Sequence, residues 1–333
     1  MLESALVPAA VVAAAIAPAL LFLWLVVAAD SRPEPARVVL GALALGAVSA
    51  VAAAIVEIAL KQVVPLPADP WLSANVTALF LAGIPEESLK VPLIAAIALR
   101  SRDFDEPMDG VVYGTAVGLG FAALENVGYV AGADAQWHTV AIWRSLLSVP
   151  LHGAFGAIAG AYIARARFAG VLGSGRGQRW HRQRLFAMAW LVPTVLHTLF
   201  DASVFSIKNF SDAAAGTEEG AGAILLMLLV MLVVGFGTIV YAALLARRIA
   251  RRQRAWVSTK RLPPAHWRGI WAECLIGIGL CFVAVTLVLT GDAVGKLVGP
   301  VLLVAAIALA RRCARTLNEA ARSRHQPVAP APT

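Results

Sequence analysis

The chain has 333 residues, 59% hydrophobic and only 14% charged, with mean hydropathy +0.76. Soluble domains carry about 25% charged residues, so a water-soluble globular enzyme is excluded. The net charge of +8 does not point to nucleic acid either, because the basic residues fall in short loops between long apolar runs.

Those runs, each long enough to cross a ~30 Å hydrocarbon core, predict nine transmembrane helices in an all-α, polytopic bundle: 5–29, 38–60, 72–99, 109–130, 140–163, 186–207, 221–246, 270–290 and 297–310. The last is short, and the count is eight if it does not cross. No basic residue precedes the first run, which reads as an uncleaved helix and not as a signal peptide. The chain divides into N-terminal helices (1–71), a central region holding the intramembrane polar residues (72–207), C-terminal helices (208–312) and a tail (313–333) whose Pro-rich end, HQPVAPAPT, predicts disorder. Cys274, Cys281 and Cys313 form neither a disulfide framework nor a CxxC pair.

With the N-terminus outside, the inner segments hold 23 Lys and Arg and the outer ones only Lys61, Lys208 and Lys296. The positive-inside rule therefore predicts a cell-membrane protein with an external N-terminus and a cytoplasmic C-terminus. The two remaining basic residues, Lys90 and Arg144, fall in or at the edge of spans, where ionisable groups mark function.

A charge at the centre of a span costs about 2.5 to 3.5 kcal/mol, so the positions of such residues carry the information. Four consecutive spans contain them: Glu86, Glu87 and Lys90 in the third, Glu125 beside Asn126 in the fourth, His152 in the fifth, His197 and Asp201 in the sixth. At 1.5 Å per residue, His152 and His197 lie roughly 15 to 18 Å below the outer ends of their helices, Glu87 slightly deeper and Glu125 nearer the surface. Glu57 and Glu273 lie near span ends. Residues four apart share a helix face, so Glu86 can pair with Lys90 and Asp201 with His197, the latter as a carboxylate that orients an imidazole. A lone buried histidine is usually a strut between helices; two with three glutamates at similar depth point to one shared site. Arg144 either snorkels to the outer interface or binds a substrate carbonyl or carboxylate. Pro85, Pro150 and Pro193 interrupt helices near these residues. Gly114, Gly118, Gly156 and Gly160 have the small-xxx-small spacing of close helix packing.

In this order, the strings PEESLK (85–90), FDEPMDGVVYGTAVGLGFAALENVGY (104–129), RSLLSVPLH (144–152) and HTLFD (197–201) resemble the PrsW family of intramembrane proteases, within the wider superfamily of CAAX-prenyl and bacteriocin-processing membrane proteases. The resemblance covers about residues 72–207, and its combination of a Glu-Glu pair, FxxxEN and two spaced histidines is specific. It carries over onto Glu86 and Glu87, onto Phe121, Glu125 and Asn126, onto His152, and onto His197 with Asp201. Glu125 stands where the wider superfamily more often has His.

The resemblance implies an endopeptidase that cleaves a membrane protein at or near the outer face, with a single-pass anti-sigma factor as the type of substrate and no nucleic-acid partner. It implies catalytic roles for Glu86, Glu87, Glu125, His152 and His197, with Lys90, Asn126, Arg144 and Asp201 supporting them or touching substrate. A divalent metal, zinc in the first instance, held by Glu87, Glu125, His152 and His197, would polarise the carbonyl and activate water, with Glu86 or Glu87 as general base. A glutamate-type centre without metal, with a histidine stabilising the oxyanion, is the other form of the same chemistry. HExxH and GxSxG are absent from the sequence, and YGTAVGLG lacks the GK[ST] ending of a phosphate loop. A proton- or ion-coupled transporter uses the same residue types in broken helices, but the sequence shows no inverted repeat; a non-catalytic membrane scaffold is the third reading.

Overall fold

The computed structural model describes residues 2–30, 34–169, 179–213, 217–256 and 304. Two units are distinguished: residues 1–26 with 34–257, which hold the bundle, and residues 27–33 with 258–333, of which 27–30 and 304 are among those described. The expected span 270–290, the expected span 297–310 apart from residue 304, and the expected disordered tail lie outside the described residues.

Among the described residues nine α-helices follow one another: α1 (Leu2–Ala29), α2 (Ala36–Lys61), α3 (Pro70–Val76), α4 (Ile84–Arg100), α5 (Pro107–Ala131), α6 (Trp137–Leu146), α7 (Ser148–Arg167), α8 (Arg179–Ala213) and α9 (Glu218–Trp256). A π-helical turn, Thr77–Gly83, joins α3 to α4, and a 3-10 turn, Asp134–Gln136, precedes α6. Among the described residues there is no strand. Five helical stretches among the described residues are long and apolar enough to cross a membrane: Ala36–Lys61, Pro107–Ala131, Asp134–Arg167, Trp180–Asp212 and Gly220–Gln253.

Local sequence explains where these elements start and break. The Asp69 carboxylate accepts from the Leu72 amide at 2.7 Å, and Pro70, which has no N–H to leave unpaired, takes the first turn of α3. At α5, Glu106 and Asp109 form a reciprocal capping box ahead of Pro107. The expected fifth span is two helices: Pro150 has no N–H for the carbonyl of residue 146, and the chain breaks at Leu147. Pro85 does the same to the carbonyl of residue 81, and there the register is absorbed by the π turn before it.

α5 is buried along most of its length between α2 and α7. Its approach to α7 is at backbone contact: a Cβ on Gly114 would fall onto the Gly156 carbonyl oxygen, one on Gly160 onto that of Gly110, and one on Gly118 onto that of His152. α9 closes the other side of α7, its Gln253 side chain accepting from the Met108 amide at 2.8 Å. Leu225, Leu229, Leu232, Val233 and Phe236 of α9 are exposed, an apolar face suited to hydrocarbon and not to water.

Candidate active site

The π turn brings the first turn of α4 against α8. Gly83 makes this possible, since a Cβ there would meet the Thr198 hydroxyl and sit 3.4 Å from the Thr194 carbonyl oxygen. His197 lies on the same stretch of α8, so Glu86 and Glu87, three and four residues beyond Gly83, face it directly. The glycine seam does the corresponding work for α5 and α7, ending at His152 and leaving Glu125 two helical turns above Gly118.

Eight ionisable side chains then form one connected cluster. Glu87 Oε1 lies 3.0 Å from His197 Nδ1 and 2.7 Å from Lys90 Nζ. On its other side, His197 Nε2 is 3.2 Å from Asp201 Oδ2 and 3.8 Å from Glu86 Oε2. Lys90 Nζ also reaches Glu86 Oε2 at 3.3 Å and His152 Nδ1 at 3.2 Å, and stands 4.1 Å from the centre of the Phe121 ring. Because an ammonium only donates, His152 Nδ1 is the acceptor of this contact and Nε2 carries the proton that goes to Glu125 Oε2, 3.0 Å away. Arg144 completes the chain by donating to Glu125 (2.6 Å), Asn126 (2.7 Å) and Ser148 (3.0 Å), with its guanidinium 3.9 Å above the Tyr129 ring. The two imidazoles are perpendicular, with centroids 5.1 Å apart.

Glu87, Lys90, His152 and His197 are buried, while Glu86, Glu125, Arg144 and Asp201 are partly exposed. The exposed parts meet in a cavity of about 760 Å³ lined by Glu86, Glu125, Arg144, His152, His197 and Asp201, with apolar walls from α2 and α8. Glu87 and Lys90 are behind this lining. The lining residues come from the later parts of α2, α5 and α8, the end of α6 and the starts of α4 and α7, so the cavity faces the arginine-poor end of the bundle. Glu57 and Lys61, paired at 2.8 Å, line it as well.

One oxygen of Glu86 and one nitrogen each of His152 and His197 lie within 4.8 Å of one another. Two imidazoles and a carboxylate are the donor set of many hydrolytic zinc centres, and each histidine has its other nitrogen on a carboxylate, Glu87 for His197 and Glu125 for His152. The residues therefore fit a divalent ion, with Glu87 and Glu125 placed as the partners that orient the rings.

The structure thus brings every candidate named from the sequence to one place, and the i,i+4 pairs Glu86–Lys90 and His197–Asp201 are both present. Arg144 reaches inward to Glu125 and Asn126. Ser148, Tyr129 and Phe155, the last stacked on His197 at 4.8 Å, were not singled out. Ser148 is four residues from Arg144, a spacing from which that contact was readable, whereas the stack of Phe155 on His197 lies between helices and follows from no spacing.

A bundle of membrane-length helices around a buried carboxylate and histidine centre defines a polytopic membrane protein with the makings of a hydrolytic site. The sequence model described as PrsW family intramembrane metalloprotease matches residues 34–238, and the chain belongs to that family of multi-pass membrane proteins. It is similar to Protease PrsW of Bacillus subtilis, 34% identical over 129 residues (39% of this chain, 54% of that one), and to that of Geobacillus kaustophilus, 36% over 120 residues (36% and 48%). With Protease PrsW of Oceanobacillus iheyensis it shares 26% identity over 201 residues, 60% of this chain and 84% of that one. The chain spans about half the length of the Bacillus and Geobacillus relatives it matches. No solved structure matches it.

Proposed function

We propose that the protein is a membrane-embedded endopeptidase that hydrolyses a peptide bond of a membrane protein, with the cavity as its active site. The observation that carries this reading is the cluster of Glu86, Glu125, His152 and His197 on the wall of a cavity that a substrate chain can enter from the arginine-poor end. With the N-terminus outside, that end is the outer one, so the bond cut lies in the outer half of the bilayer or just above it. The substrate type is a single-pass membrane protein, an anti-sigma factor being the one the family resemblance implies.

Glu86, His152 and His197 would hold a divalent ion, zinc in the first instance; such an ion supplies Lewis-acid polarisation and activation of water. The protein's own contribution is orientation. Glu87 fixes His197 through Nδ1, Glu125 fixes His152 through Nε2, and Arg144 and Asn126 fix Glu125. Glu125, which lines the cavity in contact with His152 and is not itself a ligand in this reading, would take a proton from water and return it to the leaving amine. A glutamate-type reading is favoured by one observation, the Lys90 ammonium already in contact with Glu86 and His152. In it Glu86 takes the proton and an imidazole N–H faces the developing oxyanion.

The test is cleavage of a co-expressed single-pass reporter in membranes, at matched protein levels, together with metal analysis of wild type and His152→Ala. Loss of a supporting contact costs about 10 to 100-fold, so Glu86→Gln, His152→Ala and His197→Ala should each lose more than that. Near wild-type cleavage by Glu86→Gln and His152→Ala would overturn the enzyme reading. Stoichiometric metal in wild type that is lost in His152→Ala supports the metal form; full cleavage by protein free of metal supports the glutamate form.

A further inference from the structure

The buried Lys90 has no part in the metal-assisted chemistry just described, yet it joins Glu86, Glu87 and His152 within the cluster. Its ammonium touches Glu87 at 2.7 Å, Glu86 at 3.3 Å and His152 Nδ1 at 3.2 Å, and lies against the face of Phe121. Carboxylates, an imidazole lone pair and a ring face together make a cage for a cation. Two of these partners, Glu86 and His152, are also two of the three residues whose donor atoms converge for an ion.

The lone pair of His152 is the decisive atom. Its Nε2 faces Glu125, so Nδ1 is the nitrogen left to bind an ion, and Nδ1 already accepts from Lys90. A lone pair that accepts a hydrogen bond cannot also ligate. An ion at Glu86 and His152 Nδ1 would also lie within a few ångströms of the ammonium, and two cations at that separation in a low-dielectric interior repel strongly.

We infer that Lys90 is a built-in competitor for the divalent ion: its ammonium fills the cation position of the ion-free centre, and the ion enters only as Lys90 gives up Glu86 and His152. The inference rests on the metal-assisted reading above. The displaced side chain keeps its shortest contact, to Glu87, so the movement required is a swing of the end of the chain within the cluster. Without the ion, Lys90 gives Glu86 and Glu87 a positive partner and spares the bundle an uncompensated buried carboxylate at Glu87. Lys90 therefore lowers the affinity for the ion and stabilises the protein that lacks it.

The experiment compares the full chain in detergent micelles as wild type, Lys90→Met and Lys90→Arg. It reads the Zn²⁺ dissociation constant by competition with a chromophoric chelator, and the thermal midpoint with and without Zn²⁺. Lys90→Met, similar in length and uncharged, should bind Zn²⁺ about tenfold or more tighter than wild type, because nothing then competes for the lone pair. Its ion-free form should melt lower than wild type and be restored by Zn²⁺. Lys90→Arg, which keeps the charge, should stay within about threefold of wild type. Equal or weaker Zn²⁺ binding by Lys90→Met overturns the inference alone, whereas no Zn²⁺ binding by any of the three overturns it together with the metal-assisted reading. If Lys90→Met does not fold, Phe121→Leu loosens the same ammonium by removing the ring beneath it; it should tighten Zn²⁺ by about threefold, and an unchanged affinity overturns the inference.

Discussion

The two halves of α5 meet the same neighbour, α7, on opposite terms. From Gly110 to Gly118 the helix is sealed to α7 at backbone contact, with every residue buried. From Phe121 to Tyr129 the helix passes the start of α7 and the end of α6, where Arg144 meets Glu125 and Asn126, and Glu125, Gly128 and Tyr129 face the cavity. The difference is one of side-chain volume. Where glycines face carbonyls the chains close and exclude everything; where Phe121, Glu125 and Tyr129 stand on α5 the side chains line the cavity instead. The seam ends on the His152 carbonyl, so the closed half sets the height of the open half.

The largest effect should come from breaking the seam. At Gly114 the obstacle to a side chain is the Gly156 backbone, which no rotamer change can relieve. Gly114→Ala should therefore destabilise the bundle by about 1 to 3 kcal/mol as overpacked cores do, and Gly114→Leu should prevent assembly and abolish cleavage. The matched control is Gly128→Ala in the open half, where nothing lies within 4 Å of a new Cβ. There the better helix propensity of Ala should raise the thermal midpoint, by up to about 1 kcal/mol of stability. If both alanine variants melted alike, the two halves would not differ in the way described.

Next in size is the clamp that holds the open half in place. Arg144 donates to Glu125, Asn126 and Ser148 from one planar group, a fork that the single ammonium of lysine cannot reproduce. Arg144→Lys should lower reporter cleavage by about 10 to 100-fold while leaving the thermal midpoint near wild type. Unchanged cleavage would mean that Arg144 serves only to pair a charge.

Much of this was legible in the sequence because membranes penalise charge so heavily: Glu86, Glu125, His152 and His197 stood out against apolar runs, and the pairs Glu86–Lys90 and His197–Asp201 followed from helical spacing. What spacing could not give was contact between helices. Glu87 lies on His197 across 110 positions of sequence because Gly83 and the π turn set α4 against α8, a consequence of tertiary packing. The expectation that Glu87 and Glu125 join the histidines as ligands came from a motif without geometry. The structure sets Glu86 beside them, with Glu87 and Glu125 on the far ring nitrogens, and the ligand roles proposed above follow that placement. The break at Leu147 was readable from Pro150; the apolar pattern on both sides hid it.

A smaller effect is expected at Asp201, at the edge of the open half. It meets His197 Nε2 at 3.2 Å but is partly exposed, and Glu87 holds the same ring from a fully buried position at 3.0 Å. Asp201→Asn should cost about tenfold in cleavage, well short of His197→Ala. A defect as deep as that of His197→Ala would show that Asp201 touches the reacting groups.

The smallest effect belongs to the sealed end and should appear in stability, not in cleavage. Glu34 lies in the loop before α2 and accepts a hydrogen bond from the hydroxyl of Tyr113, the residue before Gly114. Burial pushes its carboxyl up from an ordinary 4.5 to about 7, and the nearby Asp105 and Asp103 add to this against the opposing Tyr113 bond. The folded protein therefore holds the Glu34 proton at pH values where the unfolded chain has released it. Stability from this group is undiminished below about 4.5, falls as the pH rises towards about 7 and is at its lowest above that. Glu34→Gln cannot ionise and keeps an oxygen for Tyr113, so it should narrow the gap between the thermal midpoints at pH 5 and pH 8, chiefly by raising the value at pH 8. Reporter cleavage at pH 7 should be unaltered, since Glu34 is not among the residues lining the cavity. An unchanged gap would place the pH dependence elsewhere, and a cleavage defect in a variant of normal stability would show that the sealed half acts on the open half through more than its packing.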